Sequence, residues 1–233
     1  MNFDTSLPGA VLFDMDGVLV DSNPYHLRKW ADLLNAHNIP FDPAGLPEQI
    51  LGHRNDHAFR FFFGPSLSAA ETALLSDELE ENFRRAFAPH ARAPAGLLAL
   101  IEACHKASLP MAVVSSAELA NVEFIVDVLK LRPYFQFLMS GMEVTHPKPD
   151  PEIYLKAAAR IGVPPARCVA FEDSFVGIQS VKDAGMKCVA IGSTFPMQDL
   201  RERTGADWVA KGFEEVTLPR LEGLWNHSAG GAR

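Results

Sequence analysis

The sequence lacks most of the features that would set it apart from an ordinary globular protein. Only three of its 233 residues are cysteines, Cys104, Cys168 and Cys188. They are odd in number, far apart and set in apolar stretches, so buried thiols in a reducing compartment are expected and no disulfide framework is predicted. No run of about 18 apolar residues occurs, which predicts no membrane-spanning helix. The opening MNFDTSLPGA has neither the basic start nor the apolar stretch of a secretory signal, so a cytoplasmic location is the expectation. Lys/Arg clusters are missing, and 21 basic against 29 acidic residues leave a formal charge of −8. A nucleic-acid backbone would find no extended positive surface here, and no nucleic-acid partner is expected. A small phosphorylated ligand is compatible with that charge, because one lysine, a few backbone N–H groups and a metal ion suffice to hold a small anion.

What is there is a chain 48% hydrophobic and 21% charged, long enough for one large core carrying an insertion. Short apolar runs at 10–13, 110–115, 168–171, 187–191 and 206–210 each neighbour a segment with helical spacing. That alternation predicts βαβ crossovers, hence an α/β fold built on a doubly wound parallel sheet with helices on both faces. Between about 23 and 94 the pattern changes to amphipathic helices with no convincing strand. An all-helical domain over 23–94, inserted into a core of 1–22 and 95–233, is therefore expected. Phe59, Phe61, Phe62, Phe63, Phe83 and Phe87 are predicted to pack the insert's small core. His53 and His57 are one helical turn apart, but no third ligand of matching spacing follows, so packing or surface roles are expected rather than zinc. The small, polar 226–233 segment is expected to fray.

The chemistry concentrates where strands end. Asp14 and Asp16 directly follow the first apolar run, at the carboxyl edge where open α/β sheets hold their ligands. A bare Asp-x-Asp is expected about once by chance in a chain of this length. Its weight here comes from Gly17 immediately after it and from three signals after later strands: Ser115–Ser116, Lys148 and Glu172–Asp173. Singly, each has a plain alternative as a cap, turn or solvated residue. Together, DMDGVLVDS at 14–22, VVSS at 113–116, KPDP at 148–151 and FEDS at 171–174 make the chain resemble the haloacid-dehalogenase superfamily. The likeness is to members with a helical cap between the first two motifs, the β-phosphoglucomutase and phosphoglycolate-phosphatase type, and it covers nearly the whole chain.

The resemblance implies a phosphotransferase with a Rossmann-like core and Mg²⁺ as cofactor. Asp14 would be the nucleophile that forms an aspartyl-phosphate, and Asp16 the general acid and base. An acid in that role calls for a raised pKa, which nearby carboxylates and partial burial could supply. Asp14, Asp173 and the backbone carbonyl of Asp16 would bind the metal, with Glu172 a direct ligand or one acting through water. Lys148 would set one positive charge beside Asp14 and the phosphoryl group. The Ser115 hydroxyl and the Ser116 backbone N–H would hold phosphate oxygens. His26, Gly52, Arg54 and Asn55 are weaker substrate-binding candidates in or near the cap.

Asp16 favours phosphate esters, since dehalogenases lack an aspartate there. Where the mutases carry Lys-Asn after the second motif, this chain has Glu118-Leu119, and its cap arginine, Arg54, stands one place early. A glutamate would repel a second phosphate. The expectation is therefore a Mg²⁺-dependent monoester hydrolase acting on a small phosphorylated metabolite, as a monomer. A phosphosugar mutase is the alternative, and a non-catalytic phosphometabolite-binding protein a second one.

Overall fold

The computed structural model describes residues 7–64 and 67–226. The chain enters at its centre: β1 (Ala10–Phe13) is followed by four helices, α1 (Asn23–Ala36), α2 (Leu46–Ile50), α3 (Asn55–Phe63) and α4 (Ala69–Phe87). Alternation then sets in with α5 (Leu97–Lys106), β2 (Met111–Val114), α6 (Leu119–Val128), β3 (Phe137–Met139), α7 (Glu152–Ile161) and β4 (Cys168–Glu172). It ends with α8 (Phe175–Asp183), β5 (Lys187–Ile191), α9 (Met197–Arg203), β6 (Trp208–Ala210) and α10 (Leu218–Asn226).

The six strands form one parallel sheet in the order β3-β2-β1-β4-β5-β6, the α/β fold expected. Successive residues of each central strand feed opposite faces, as the pleat requires. Val11, Phe13, Met111, Val113, Val169 and Phe171 join a cluster with α5, α6 and α10. Ala10, Leu12, Ala112, Val114, Cys168 and Ala170 join another with α7, α8 and α9. Both faces are covered, which is why these strands read as unbroken apolar runs. All three cysteines are free and buried. Among the described residues, no helix is long and apolar enough to cross a membrane.

Two departures from the sequence reading have plain causes. The strand β3 was not anticipated; it is three residues long at the sheet's edge and only its last residue is buried, too short for periodicity to register. The phenylalanines divide. Phe59 and Phe63 do enter a separate helical cluster with Trp30, Leu34 and Leu79, and Phe62 packs against it. Phe83 and Phe87 instead join the main sheet cluster, and Phe61 is exposed. The helix α4 is 19 residues long, about 28 Å at 1.5 Å per residue, so it outreaches the helical cluster and its last turns pack on the core. The expected fraying at 226–233 falls, beyond its first residue, outside the described residues.

Topology positions the site. After β1 the chain fills one side of the sheet and then, from β4, the other, so the strand order reverses between β1 and β4. A parallel sheet opens a crevice at the carboxyl ends of the strands at such a switch point.

Candidate active site

Register alone brings three distant segments together. Phe13 is opposite Phe171 on one side and Val113 on the other, and the Asp14 N–H donates to the Phe171 carbonyl at 3.0 Å. One or two steps beyond those pairs come Asp14, Ser115 and Glu172–Asp173. The loop before α7, which contains a cis Lys148–Pro149 bond, carries Lys148 in from the side.

The Lys148 Nζ donates to Asp14 Oδ1 at 2.8 Å and to Glu172 Oε1 at 2.6 Å, and the side chain is only 1% exposed. Burial works against the ammonium, but the two carboxylates outweigh it and hold its pKa above the ordinary lysine value. The carboxylates fare worse, because Asp14, Glu172 and Asp173 place ligand oxygens within 4.8 Å of one another around a single cation. Burial, then the charge of Glu172, push Asp14 well up and Asp173 up to about 8. Three buried carboxylates facing one ammonium carry uncompensated negative charge, and an all-oxygen cluster of this kind suits a small hard cation such as Mg²⁺.

Glycine is required beside this cluster. Gly17 adopts φ +74°, and a Cβ there would sit 1.8 Å from Asp173 Oδ2; one on Gly177 would meet the Glu172 carboxylate at 2.1 Å. Glu172 is saturated with donors. Beyond Lys148 it accepts from the Tyr154 hydroxyl at 2.6 Å, the Asp173 N–H at 3.2 Å and the Ser174 hydroxyl at 3.3 Å. Asn23, at the start of α1, donates to Asp173 Oδ2 at 2.7 Å and to Thr194 at 2.6 Å, and the Thr194 hydroxyl also donates to Asp173. Tyr154, Asn23 and Thr194 escaped the sequence reading. Tyr154 lies on the apolar face of α7 and reads as core; Asn23 and Thr194 sit in no motif.

The Asp16 carboxylate reverses an expectation. Burial would raise its pKa, but His26 Nε2 at 3.0 Å, the Ser22 hydroxyl and the charge of Lys29 prevail and hold it below the usual range. The raised pKa sought for an acid is not found, because these donors and cations outweigh burial. Ser22, at the start of α1, makes no side-chain cap bond and donates its hydroxyl to Asp16 instead. His26 stacks on Phe83 at 4.1 Å between ring centroids.

A cavity of about 610 Å³ opens over these groups, lined from below by Asp14, Asp16 and Ser115 and from above by residues of α1, α3 and α4. Ser115 Oγ accepts the Ala117 N–H at 3.1 Å, while the Ser116 hydroxyl donates to the Gly52 carbonyl at 2.7 Å. Gly52 approaches so closely that a Cβ would lie 2.3 Å from Ser174 Oγ. Arg54 makes two bonds to Asp56 and donates to the carbonyls of Gly141 and Val144 at 3.2 Å. Asn55 donates to Ser76 at 3.0 Å and to Glu80 at 2.6 Å. The rings of His53 and His57 stack at 3.9 Å.

With this geometry in hand, the comparison with known proteins is direct. The model of the haloacid dehalogenase-like hydrolases matches residues 8–185. The chain belongs to that family. It is 30% identical over 228 residues to the beta-phosphoglucomutase of Bacillus subtilis, covering 93% of this chain and 95% of that one. It is also 30% identical over 182 residues to the fructose-1-phosphate phosphatase of Escherichia coli K12, covering 78% of this chain and 95% of that protein. The crystal structure of a beta-phosphoglucomutase from Clostridium difficile superposes with a TM-score of 0.85 at 21% identity, over 96% of this chain and 99% of that one; at that identity the match speaks for the fold. The haloacid dehalogenase-like hydrolase described here is thus an enzyme whose relatives include both phosphatases and mutases.

Proposed function

We propose that this haloacid dehalogenase-like hydrolase cleaves phosphomonoesters of small metabolites through an aspartyl-phosphate on Asp14. The observation that carries the reading is the buried contact of Asp14 with Lys148 at 2.8 Å, at the floor of the cavity and within the Glu172–Asp173 cluster. Asp14 attacks phosphorus, the ester P–O bond breaks, and the departing alkoxide takes a proton that Asp16 relays from His26 across their 3.0 Å hydrogen bond; the proton returns to His26 after the second step. Water then attacks the aspartyl-phosphate and gives its proton to Asp16, and phosphate leaves with Asp14 restored. Splitting one displacement into two in this way asks little of the protein beyond positioning and charge. Asp16, held as a carboxylate by Ser22 and His26, stands in the form the second step needs, and its hydrogen bond to His26 supplies a route for the proton the first step consumes.

Lys148 and the Ser116 N–H would face the phosphoryl oxygens, with the Ser115 hydroxyl beside them. Asp14, Asp173 and the Asp16 carbonyl would hold Mg²⁺. When bound, that ion would neutralise the charge that spreads over the phosphoryl oxygens in the transition state. Glu172, already accepting four donors, orients Lys148 and Asp173 in this reading rather than ligating directly. Residues 23–94 act as a cap that closes the cavity over a small substrate and excludes bulk water.

Hydrolysis is favoured over mutase chemistry because Glu118, in the cavity wall where a mutase must hold a second phosphate, already takes up the charge of Arg84 and leaves a second phosphate no free cation beside it. The decisive assay is Mg²⁺-dependent hydrolysis of p-nitrophenyl phosphate, which is expected to disappear in Asp14→Asn. Equal activity in that variant would overturn the nucleophile assignment. Conversion of β-glucose 1-phosphate to glucose 6-phosphate in place of phosphate release would select the mutase. A wild-type protein that binds phosphosugars without turnover would select the binding-only reading.

A further inference from the structure

The floor of the cavity is built for one phosphate; the wall facing it tells what the rest of the substrate carries. That wall is largely the face of α4 bearing Thr72, Ser76, Asp77 and Glu80, flanked by Asn55 and, from the core, by Glu118.

A hydrogen-bond inventory shows what this wall has left to offer. Every cation near it is already committed. Lys29 donates to Glu80 at 2.6 Å, Arg84 to Glu118 and Asn121, and Arg54 to Asp56 and two backbone carbonyls. Arg60 also pairs with Asp56, at 3.1 Å, and is mostly exposed. Asn55 uses both amide hydrogens on Ser76 and Glu80, so only its carbonyl oxygen remains for a ligand. The Asp77 carboxylate lines the cavity and is exposed to solvent. The Ser76 hydroxyl accepts from Asn55, and the Thr72 hydroxyl already donates to the Ser68 carbonyl at 3.0 Å, so Thr72 meets a ligand as an acceptor. The α4 face thus offers carboxylate, carbonyl and hydroxyl oxygens, and among the described residues each ammonium or guanidinium around it already has a carboxylate partner, Arg54 and Arg60 sharing Asp56.

An anionic group against this face would meet the Asp77 carboxylate and would have to displace Asp56, Glu80 or Glu118 to gain a cation of its own, so much of its desolvation cost would go unrecovered. Hydroxyl or ammonium hydrogens would find acceptors. We infer that the enzyme selects phosphomonoesters whose organic part is rich in hydroxyl or ammonium donors and bears no second anionic group. Asp77 is the residue that sets this charge preference. The inference rests on the cavity being the substrate site, as in the reading above, and adds the charge class of the group that departs.

One scaffold with one variable group tests it. Glucose 6-phosphate, glucosamine 6-phosphate, 6-phosphogluconate and glucose 1,6-bisphosphate share a phosphate on C6 and differ in the charge elsewhere. Dissociation constants with Asp14→Asn in the presence of Mg²⁺ report binding without turnover. Glucosamine 6-phosphate is expected to bind at least as tightly as glucose 6-phosphate. Both should bind at least tenfold more tightly than the carboxylate or the bisphosphate. In Asp14→Asn/Asp77→Asn the ratio between glucosamine 6-phosphate and 6-phosphogluconate should fall at least threefold.

Equal or tighter binding of either doubly anionic ligand, no binding of any of the four, or an unchanged ratio on removing the Asp77 charge would overturn the inference. The hydrolase reading stands or falls separately. It fails if the wild-type enzyme does not turn over p-nitrophenyl phosphate, whatever the order of the four ligands.

Discussion

At the scale of single residues, the site is governed by how many charges share how little water. Lys148 is one ammonium among three carboxylates, and its hydrogen bonds to Asp14 and Glu172 fix both the place of the proposed nucleophile and the deficit of positive charge that a divalent ion would relieve. Tyr154 belongs to the same arrangement; its hydroxyl holds Glu172 from behind, and Lys148 Nζ lies 5.1 Å over its ring centroid. Asp16 plays a different part, and its substitution separates the two half-reactions. With p-nitrophenyl phosphate the leaving group needs no proton, so Asp16→Asn should still release about one equivalent of p-nitrophenol in a burst before stalling. With an alkyl phosphate even that first turnover should slow by roughly 10²–10⁴. Rapid-quench measurement of the burst checks this, and a variant that turns over both substrates at the wild-type steady rate would exclude Asp16 as the proton carrier.

At the scale of elements, the loop between α2 and α3 shows how local sequence and tertiary contact divide the work. Gly52 supplies φ +81° and the space for Ser174; the next residue, His53, packs on His57 and lines the cavity. Burial, then the neighbouring His57, pull the His53 pKa down to about 4. The unfolded chain titrates near 6.5, so between those values it binds a proton that the folded chain refuses. This contribution to stability is complete above about pH 6.5 and is lost as the pH falls toward 4. Urea midpoints measured at pH 7.5 and pH 5 should therefore differ less in His53→Gln than in the wild type. An identical pH dependence in the two proteins would show that His53 protonates freely in the fold. The helix α4 begins with a true capping box, Ser68 with Glu71, and ends against the sheet cluster through Phe83 and Phe87. A single helix thereby anchors the upper wall of the cavity to its base.

For the whole molecule, the sheet is the base and the helices over 23–87 the roof, joined by Asn23 to Asp173 and Thr194, by Arg84 to Glu118 and Asn121, and by bonds between loops. Ser116 reaches Gly52, Arg54 reaches the carbonyls of Gly141 and Val144, and Arg203 pairs with Glu48 at 2.8 Å. An ion held at the Asp14–Asp173 cluster binds the native state and not the unfolded chain, so Mg²⁺ at a hundred times its Kd should raise stability by about 2.7 kcal/mol. Differential scanning calorimetry with and without Mg²⁺ would read this as a higher Tm, and Asp173→Asn should remove most of the rise. A Tm indifferent to Mg²⁺ in the wild type would argue against a metal in the cluster.

Much of this was legible in the chain, and for identifiable reasons. Buried parallel strands must be apolar on both faces, so β1, β2, β4 and β5 announce themselves as short apolar runs. The acidic and basic groups that follow them stand out because such groups are otherwise kept from the ends of a buried strand. Fold class and the core motif residues are local properties of sequence for that reason. Other features depend on which surfaces meet. Register and the reversal of strand order bring Asp14 to Lys148 and Asp173, both more than a hundred residues further along the chain. The low pKa of Asp16 is set by His26 and Ser22 folding back onto it, and the acceptor-rich wall arises only once the cations of the surrounding helices have paired with their carboxylates. Hydrogen bonds and Coulomb forces act over a few ångströms, so only the packed chain decides which partners a side chain has left.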